Sequence, residues 1–238
     1  MTEAMSHMRS LERSRASRTR RDRPKTFLLD GREWDLLDDV FAPPFSPSSA
    51  IAMRLAGLSA PAAHWRGSFL EIGSGTGVGA VLAALAGCEH VVAVDINARA
   101  VENTAVNARR HGVADRVCAV RSDLFSALPT GERYDTVFWH SNFVYAPDDY
   151  TCESDHDRAY VDPGYRAHRM YLIQAPERLA DAGRVLLHFS DRGDIRLLHS
   201  IAAHCDRELL VVRSERNREG HETVEHVLFE VRVASAGT

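Results

Sequence analysis

The residues best suited to chemistry in this 238-residue sequence form a glycine-rich turn. An apolar run carrying Glu71 leads to Gly73, Gly75 and Gly77, and a second apolar run follows over 78–86. Glycines at alternate positions let the backbone approach a ligand where a Cβ atom would clash, and a helix N-terminus presents free N–H groups. The sequence therefore predicts a strand, a turn and a helix that together bind a nucleotide-like ligand.

The spacing of these residues indicates the class of ligand. Dinucleotide-binding turns follow G-x-G-x-x-G, whereas this turn reads acid-x-G-x-G-x-G. It resembles the first motif of the class I S-adenosylmethionine-dependent methyltransferases. The resemblance implies that Glu71, Gly73, Gly75 and Gly77 lie beneath the amino-acid and ribose parts of that cofactor. An NAD-dependent oxidoreductase is the alternative that this spacing disfavours.

An acid ends the second predicted strand, 90–96. Asp95 lies 22 positions after Gly73, where a carboxylate is placed to accept both hydroxyl hydrogens of a ribose. We predict that Asp95 binds the cofactor, together with Ile96 beside it. Asn97 is expected to cap the helix that follows.

The third predicted strand runs into Asp123, Leu124 and Phe125. This D-L-F turn is similar to the adenine-binding turn of the same family. The resemblance implies that Asp123 accepts a hydrogen bond from the adenine amino group while Leu124 packs on the ring.

The chemistry is expected after the fourth strand, 134–140, because ligands of open α/β sheets lie beyond the carboxyl ends of the strands. Asn142, Phe143, Val144 and Tyr145 stand where the HemK/PrmC-like methyltransferases carry N-P-P-Y. The outer Asn and Tyr are kept, and both prolines are lost. The resemblance implies that Asn142 lies near the methyl group, that its carbonyl accepts from an amide or amine, and that Tyr145 walls the pocket.

Candidate bases lie around the same edge of the sheet. His140 ends the fourth strand, and Asp148 and His156 belong to the polar segment 148–158. A neutral amine or amide needs no obligatory base, so these groups matter most for an oxygen or carbon acceptor. No spacing of histidines, cysteines or acids predicts a metal site.

The composition, 45% hydrophobic and 26% charged with a net charge of −4, is that of a globular domain and makes nucleic acid an unlikely partner. The Arg-rich residues 1–26 are expected to be a disordered tail, with a dimer arm or a cofactor lid as alternatives. The four cysteines are scattered, and the longest apolar run, 78–88, is too short to cross a membrane. Both observations favour the cytoplasm.

Residues 27–60 are predicted to form a hairpin turning at Asp30-Gly31 and a helix over 50–58 capped by Ser48 or Ser49. Residues 61–238 are predicted to form the cofactor-binding domain. A helix is expected over 165–180, and two last strands are expected around a loop at 217–221. We predict an α/β, Rossmann-like sheet of seven strands in the order 3-2-1-4-5-7-6, with an antiparallel last strand and helices on both faces.

These features predict an enzyme that transfers a methyl group from S-adenosylmethionine to a nitrogen. The lost prolines favour a small-molecule acceptor over a protein, although an amide or amine side chain stays open. Two alternatives remain: an O- or C-methyltransferase of a small metabolite, and a non-catalytic binding module that keeps the cofactor fold. A homodimer is also left open.

Overall fold

The computed structural model describes residues 6–59 and 65–234. The helices in this part of the chain are α1 (His7–Thr19), α2 (Ser48–Ala56), α3 (Val78–Leu85), α4 (Ala98–Arg110), α5 (Arg166–Gln174) and α6 (Ile195–His204). The strands are β1 (Thr26–Leu29), β2 (Arg32–Asp35), β3 (Ser68–Ile72), β4 (His90–Asp95), β5 (Val117–Arg121), β6 (Tyr134–His140), β7 (Val144–Ala146), β8 (Val161–Pro163), β9 (Leu179–Ser190), β10 (Arg207–Glu219) and β11 (Glu222–Val233).

Seven of these strands form the central sheet in the order β10-β11-β9-β6-β3-β4-β5. The five strands from β9 to β5 are parallel, whereas β11 is antiparallel to both β9 and β10. Numbered along the chain, the seven strands have the predicted order 3-2-1-4-5-7-6. Because β3, β4, β5 and β6 run in one direction, the segments that follow them meet at the same edge of the sheet.

Helices cover both faces of the sheet, as predicted. Phe69 packs in an apolar cluster with α2, α3 and α4, whereas its neighbour Leu70 packs in a second cluster with α5 and α6. Successive residues of a strand point to opposite faces, so one apolar run supplies both clusters. Burial on both faces explains why consecutive apolar residues occur in β3, at Phe69 and Leu70, and in β4, at 91–94.

The hairpin of the N-terminal extension forms as predicted. Its two strands, β1 and β2, are joined by Asp30 and Gly31, which have positive φ values of 53° and 69°. These values suit a two-residue hairpin turn. The hairpin rests on α4, where Asn107 Oδ1 accepts from the Asp35 N–H at 2.8 Å. Apolar residues of the hairpin and of α2 lie in the same cluster as Phe69, so the extension shares the core of the sheet domain.

The predicted serine cap of α2 is wrong. Ser48 and Ser49 lie inside the first turn, and Pro47 occupies the N-cap position without a side-chain hydrogen bond. A proline has no backbone N–H that needs a partner, so it suits the start of a helix. Gly57, with a left-handed φ of 78°, ends the helix.

The expectation of a disordered tail is wrong for residues 7–19, which form α1, while residues 1–5 of that tail lie outside the described residues. The buried side of α1 carries three serines, Ser10, Ser14 and Ser17, beside Leu11. Ser10 donates to the carbonyl of Tyr160 at 2.8 Å. Hydroxyl groups, and not an apolar stripe, dock this helix, so hydrophobic periodicity does not reveal it.

Two predicted boundaries also move. The helix predicted over 165–180 ends at Gln174, because Pro176 has no backbone N–H with which to continue the helical hydrogen bonds. The loop predicted at 217–221 is instead a tight turn at Gly220 between two long strands, β10 and β11. This longer hairpin reaches α1, where Arg9 pairs with Glu222 at 3.3 Å.

Candidate functional site

The glycine turn lies between β3 and α3. Gly73, Gly75 and Gly77 have positive φ values of 64°, 54° and 79°. A Cβ atom on Gly77 would lie 2.7 Å from the Cα of Thr104, so this glycine lets the turn pack against α4. A Cβ on Gly75 would meet no atom within 4 Å, so open space lies above it. The turn therefore packs tightly against α4 on the side of Gly77, and on the side of Gly75 it presents backbone without side chains to open space.

Glu71 lies at the base of this turn and is buried. Its Oε2 accepts from the Ala80 N–H in the first turn of α3 at 2.7 Å. Burial raises the pKa of Glu71 to about 8, although the Ala80 hydrogen bond and not a cation is its nearest favourable partner. The carboxyl group is consequently neutral at pH 7 and ties the turn to the helix.

Asp95 ends β4 directly opposite the turn. Its two oxygens accept from the N–H groups of Gly75 and Asn97, both at 2.9 Å. Burial raises the pKa of Asp95 to about 6, against the effect of these backbone hydrogen bonds. Asn97 caps α4 as predicted, by accepting from the Arg99 N–H at 2.9 Å. Each Asp95 oxygen keeps a lone pair for a further donor such as a hydroxyl.

The third-strand turn lies next along the same edge. Asp123 is exposed, and Leu124 has a φ of 49°, held by the hydroxyl of Ser122, which donates to its carbonyl at 2.8 Å. The left-handed backbone at a leucine is strained, and such strain persists only where surrounding contacts hold it. It directs the turn toward the space above Gly75.

A cavity of about 220 Å³ joins these segments. It is lined by Glu71, Gly73, Gly75, Asp95, Ile96, Asp123, Leu124, His140 and Asn142 from the predicted set. Gly77 lies below the cavity, against α4, and does not line it. The bare glycine backbone, two carboxylates with spare lone pairs and an apolar Leu124 fit an adenosine with an amino-acid tail, so these residues suit S-adenosylmethionine.

Asn142 lies at the end of the cavity where the sequence predicts that the methyl acceptor binds, which we call the acceptor end. Its contacts show how its side chain is oriented. Its Nδ2 donates to the carbonyls of Arg158 and Val161 at 2.7 and 2.8 Å, which uses both amide hydrogens. Its Oδ1 is buried and has no hydrogen-bond partner among the described residues. The side chain is therefore fixed by the segment 158–161 and keeps one unsatisfied acceptor.

Tyr145 does not line the cavity, so the structure does not support its predicted place as a wall of the pocket. Its hydroxyl donates to Asp148 Oδ1 at 2.8 Å, and its ring packs on Tyr165 at 5.4 Å between centroids. The reason is that residues 144–146 form β7 and pair with β8, which turns this side chain outward. Phe143, one of the residues in place of the prolines, lines the cavity instead.

The candidate bases differ in their surroundings. His140 is half-buried at the end of β6, and desolvation lowers its pKa to about 3. His156 is buried, its Nδ1 lies 2.8 Å from the Ser14 hydroxyl, and desolvation lowers its pKa to about 4. The carboxylate of Asp148 already accepts a hydrogen bond from the Tyr145 hydroxyl. Both histidines line the cavity as neutral groups, whereas Asp148 does not line it.

Sequence reasoning missed a group of polar residues that line the far end of the cavity. They come from α1, from the segment after β9 and from the β10–β11 hairpin: Ser10, Arg13, Arg192, Glu219 and His226. Arg192 pairs with Glu219 at 2.8 Å, and the side chain of Arg192 is only 11% exposed. These residues are far apart in the sequence, so no local motif could reveal them. The serine spacing 10, 14, 17 was the one available signal that α1 docks.

Comparison with known proteins supports the same class. Residues 69–154 match the family model described as a methyltransferase domain. The release factor glutamine methyltransferase of Bordetella pertussis is 31% identical over 150 residues, which are 60% of this chain and 53% of that protein. The ribosomal protein L11 methyltransferase of a Geobacter species is 45% identical over 62 residues, 26% of this chain and 20% of that protein.

Solved structures share the fold at low sequence identity. The ribosomal protein L11 methylase of Lactobacillus delbrueckii has a TM-score of 0.53 at 12% identity and covers 79% of this chain and 80% of its own. The tRNA m1G37 methyltransferase of M. jannaschii has a TM-score of 0.57 at 13% identity, and the match covers 89% of this chain and 55% of that chain.

Together these matches support the predicted class: residues 69–154 match a methyltransferase domain model, and the chain shares its fold with solved methyltransferase structures. The matched part of the chain spans about half the length of the release factor glutamine methyltransferase. Along the described residues, no helix is long and apolar enough to span a bilayer.

Proposed function

We propose that this chain methylates an amide or amine nitrogen, and that Asn142 positions that nitrogen. The observation that carries the proposal is the Asn142 side chain, with both hydrogens donated to backbone carbonyls and a buried Oδ1 left without a partner. An unsatisfied buried acceptor costs about 1–3 kcal/mol, so a site with such an atom gains from a ligand that donates to it. An acceptor N–H supplies that donor.

The fixed amide has a direct consequence for transfer. S-adenosylmethionine supplies a methyl group on a sulfonium, which needs no further activation. The residues then have to orient the nitrogen lone pair and exclude water, which are large contributions to rate. A hydrogen bond from the acceptor to Asn142 Oδ1 fixes the direction of the lone pair, while Phe143 and Trp139 exclude water from the same end of the cavity.

The residues that line this part of the cavity support the following roles in the cofactor half. Gly73 and Gly75 offer bare backbone to the amino-acid and ribose parts, Asp95 accepts from the ribose hydroxyls, and Asp123 and Leu124 hold the adenine. Glu71 acts through the turn and α3, since its oxygen is bonded to Ala80.

The acceptor is the finer part of the proposal. The relatives are named for a release factor glutamine and for ribosomal protein L11, and a fold neighbour is named for tRNA. Those names support a nitrogen acceptor and the HemK/PrmC-like branch, but they do not favour the small molecule predicted from the sequence. The cover that α1 and the segment 154–160 place over the cavity supports a small acceptor or a single side chain.

The oxygen and carbon acceptors receive less support. They require a base that removes a proton before or during transfer, and the pKa of His140, lowered to about 3 by burial, makes its imidazole a weak base. The cavity and its carboxylates also do not favour the alternative of a non-catalytic binding module.

Calorimetric titration with S-adenosylmethionine and S-adenosylhomocysteine, with NAD as the control, tests the cofactor. We expect both adenosyl compounds to bind and NAD not to bind. Transfer of labelled methyl is then measured on free glutamine, small primary amines, a release factor and ribosomal protein L11. Absence of binding by either adenosyl compound would overturn the proposal, and transfer only to oxygen would overturn the role of Asn142.

A further inference from the structure

Two arginines from distant parts of the chain border the acceptor end of the cavity. Arg192 follows β9, and Arg13 lies on α1. The side chain of Arg192 is only 11% exposed. Burial lowers the pKa of Arg13, and the nearby charge of Arg192 lowers it further. The two guanidinium groups are therefore neighbours in a partly buried setting, where positive charges need counter-charges.

The turn that carries Arg192 packs on the residue after Asn142. A Cβ atom on Gly193 would clash with the Phe143 carbonyl oxygen, so only a glycine lets the two segments approach this closely. In the sheet, β6 lies between β9 and β3. Because Asn142 follows β6 and the glycine turn follows β3, Arg192 lies on the side of Asn142 that faces away from the glycine turn.

The helix α1 brings Arg13 to the segment that holds Asn142. Ser10 donates to the Tyr160 carbonyl at 2.8 Å, and the next carbonyl, that of Val161, accepts from Asn142 Nδ2 at 2.8 Å. Residues three positions apart lie on the same face of a helix, and both Ser10 and Arg13 line the cavity. The two arginines thus belong to two segments that pack around the proposed site of the reacting nitrogen.

The acids at this end leave an excess of positive charge. Glu219 pairs with Arg192 at 2.8 Å, and Glu222 lies 3.5 Å from Arg192 and 3.3 Å from Arg9. Arg13 is close enough for the charges of Arg9, Arg192 and Glu219 to act on it. Three guanidinium groups therefore share two carboxylates, which leaves at least one positive charge for an anion from outside the chain.

One hydrogen-bond donor of Arg192 is also left over. Its Nη2 bonds Glu219, whereas its Nε is buried and has no hydrogen-bond partner among the described residues. A guanidinium N–H can only donate, so the missing partner is an acceptor. Both oxygens of Glu219 are already used, Oε2 by Arg192 and Oε1 by His226 at 2.9 Å. A ligand oxygen that accepts from Nε would remove the cost of this unpaired buried donor.

We propose that the methyl acceptor carries a carboxylate, which Arg192 binds through Nε beside the charge of Arg13, while Asn142 positions the nitrogen of the same molecule. This inference rests on the proposed nitrogen methylation. A monoanion fits better than a phosphate group with about two negative charges, because Glu219 on the same guanidinium repels each added charge. The acceptor class is thus a small amine or amide with a carboxylate, which a glutamine side chain inside a protein does not carry.

The first test is NMR of the Arg192 Nε–H group in the wild-type protein, assigned by the loss of its signal in Arg192→Lys. Sodium butyrate, butyramide of the same shape and inorganic phosphate are titrated at constant ionic strength, with and without saturating S-adenosylhomocysteine. We expect butyrate to shift the signal saturably, with an affinity at least about tenfold above that of butyramide or phosphate. An unmoved signal, or equal binding of butyramide, would overturn the site, and tighter binding of phosphate would overturn the choice of a carboxylate.

The second test compares variants by saturation-transfer NMR on the methyl signal of butyrate. Arg192→Lys keeps the positive charge beside Glu219 and removes the Nε donor, so butyrate should bind about tenfold more weakly. The matched control is Arg216→Lys, because Arg216 lies on the β10–β11 hairpin, is 74% exposed and pairs with Glu225 at 3.6 Å. This control should keep the wild-type affinity.

A further variant covers the case in which Arg192→Lys does not fold. Arg13→Gln leaves the pair of Arg192 and Glu219 in place and should weaken butyrate binding by about threefold, through the loss of one nearby charge. Wild-type affinity for butyrate in Arg13→Gln and in every folded Arg192 variant would overturn the proposal.

The cofactor also has a carboxylate, on its amino-acid part, and calorimetry with S-adenosylhomocysteine separates the two sources. Its affinity should change by less than about twofold in Arg192→Lys. A loss of about tenfold or more would assign the Arg192 site to the cofactor and overturn its role in binding the acceptor.

None of these binding measurements requires methyl transfer. Failure of the butyrate titration rejects the carboxylate site and leaves the proposed function standing, whereas failure of the wild-type protein to bind S-adenosylmethionine rejects the proposed function. In the transfer screen, a higher kcat/KM for the release factor than for small amines and amides with a carboxylate would also overturn this inference, and nitrogen methylation would stand.

Discussion

The two ends of the cavity are built in different ways. The cofactor end comes from three successive strand ends, and its donors and acceptors are backbone groups and the carboxylates of Asp95 and Asp123. The acceptor end draws on α1, the segment 140–160, Arg192 and the β10–β11 hairpin, and its groups include imidazoles, arginines, an amide, a hydroxyl and the Glu219 carboxylate. One end uses neighbouring turns of a single fold motif, and the other depends on contacts between segments more than 100 residues apart.

This difference indicates which end of the cavity determines the specificity for the methyl acceptor. Parallel strands of a sheet must bring their carboxyl ends together, so the cofactor end follows from the fold. The acceptor end depends on which segments happen to cover the sheet, and those segments can change without changing the sheet. Variants of the two ends should therefore separate cofactor binding from transfer.

The largest effect is expected from Asp95→Ala at the cofactor end. Two hydrogen bonds from ribose hydroxyls to a carboxylate, at about 1.5–3 kcal/mol each, correspond to a loss of at least about 100-fold in affinity for S-adenosylmethionine. Calorimetry measures it, and Asp115→Ala, an exposed acid outside the cavity, is the control. Retained affinity with an intact fold would remove Asp95 from the ribose site.

Asn142→Ala should damage the acceptor end alone. Removal of one positioning hydrogen bond from a transfer reaction costs about 10²–10³ in maximal rate, and cofactor affinity should change by less than about twofold. Asn217→Ala on the hairpin serves as the control. Full turnover of Asn142→Ala would contradict its assignment, and lost cofactor affinity would erase the proposed separation of the two ends.

The buried Glu71 should give the stability of the protein a pH dependence at the cofactor end. Its folded-state pKa of about 8 lies above its ordinary value of 4.5, so the folded state holds the proton longer and stability falls as pH rises toward 8. Asp95 titrates near 6, but the four histidines with lowered folded-state pKa values still take up protons near pH 6.5 in the unfolded chain, which raises the stability as pH increases from 6.5 to 8. The contribution of Glu71 is therefore the difference between the pH profiles of the wild-type protein and of Glu71→Gln.

Urea unfolding at pH 6.5 and 8 measures this effect. Between these two pH values we expect the wild-type protein to lose about 2 kcal/mol of stability relative to Glu71→Gln, which cannot ionise. Parallel pH profiles of the two proteins would show that Glu71 is ionised in the fold.

The smallest effect is expected from Ser14→Ala, which acts on the cover of the cavity. The Ser14 hydroxyl donates to Asp157 at 2.7 Å and bonds His156 at 2.8 Å, and its loss should cost about 1–2 kcal/mol locally. Hydrogen exchange of the α1 amides should then be faster, while the amides of β3 and β4 keep their protection. Thr19→Ala, which removes an exposed bond within the helix, is the control. Unchanged exchange in α1 would show that the other serines dock it alone.

The sequence predicted the sheet and the positions of its strand ends well, for a physical reason. Apolar runs, glycines and terminal acids are local signals, and Gly75, Asp95 and Leu124 are brought to one cavity by strand direction alone. The role of each of these residues in binding remains a prediction. Strand pairing of residues 144–146 turned Tyr145 outward, which the isolated N-F-V-Y letters could not indicate.

The acceptor end was largely hidden from sequence reasoning. α1 has no apolar period, because serine hydroxyls dock it, and the composition of residues 7–19 resembles a disordered tail. Glu219 meets Arg192 only because the β10–β11 hairpin brings the two side chains within 2.8 Å of each other. Such contacts depend on three-dimensional register, which a linear pattern does not carry.

The docking of α1 also constrains how the protein is made. Ser14 and His156 are 142 residues apart, so α1 leaves the ribosome without this docking surface, which is absent until the segment around His156 has been synthesised. Domains fold as units while the chain grows, and contacts of such long separation form late. The side of the cavity that α1 covers is therefore open until at least that point of synthesis.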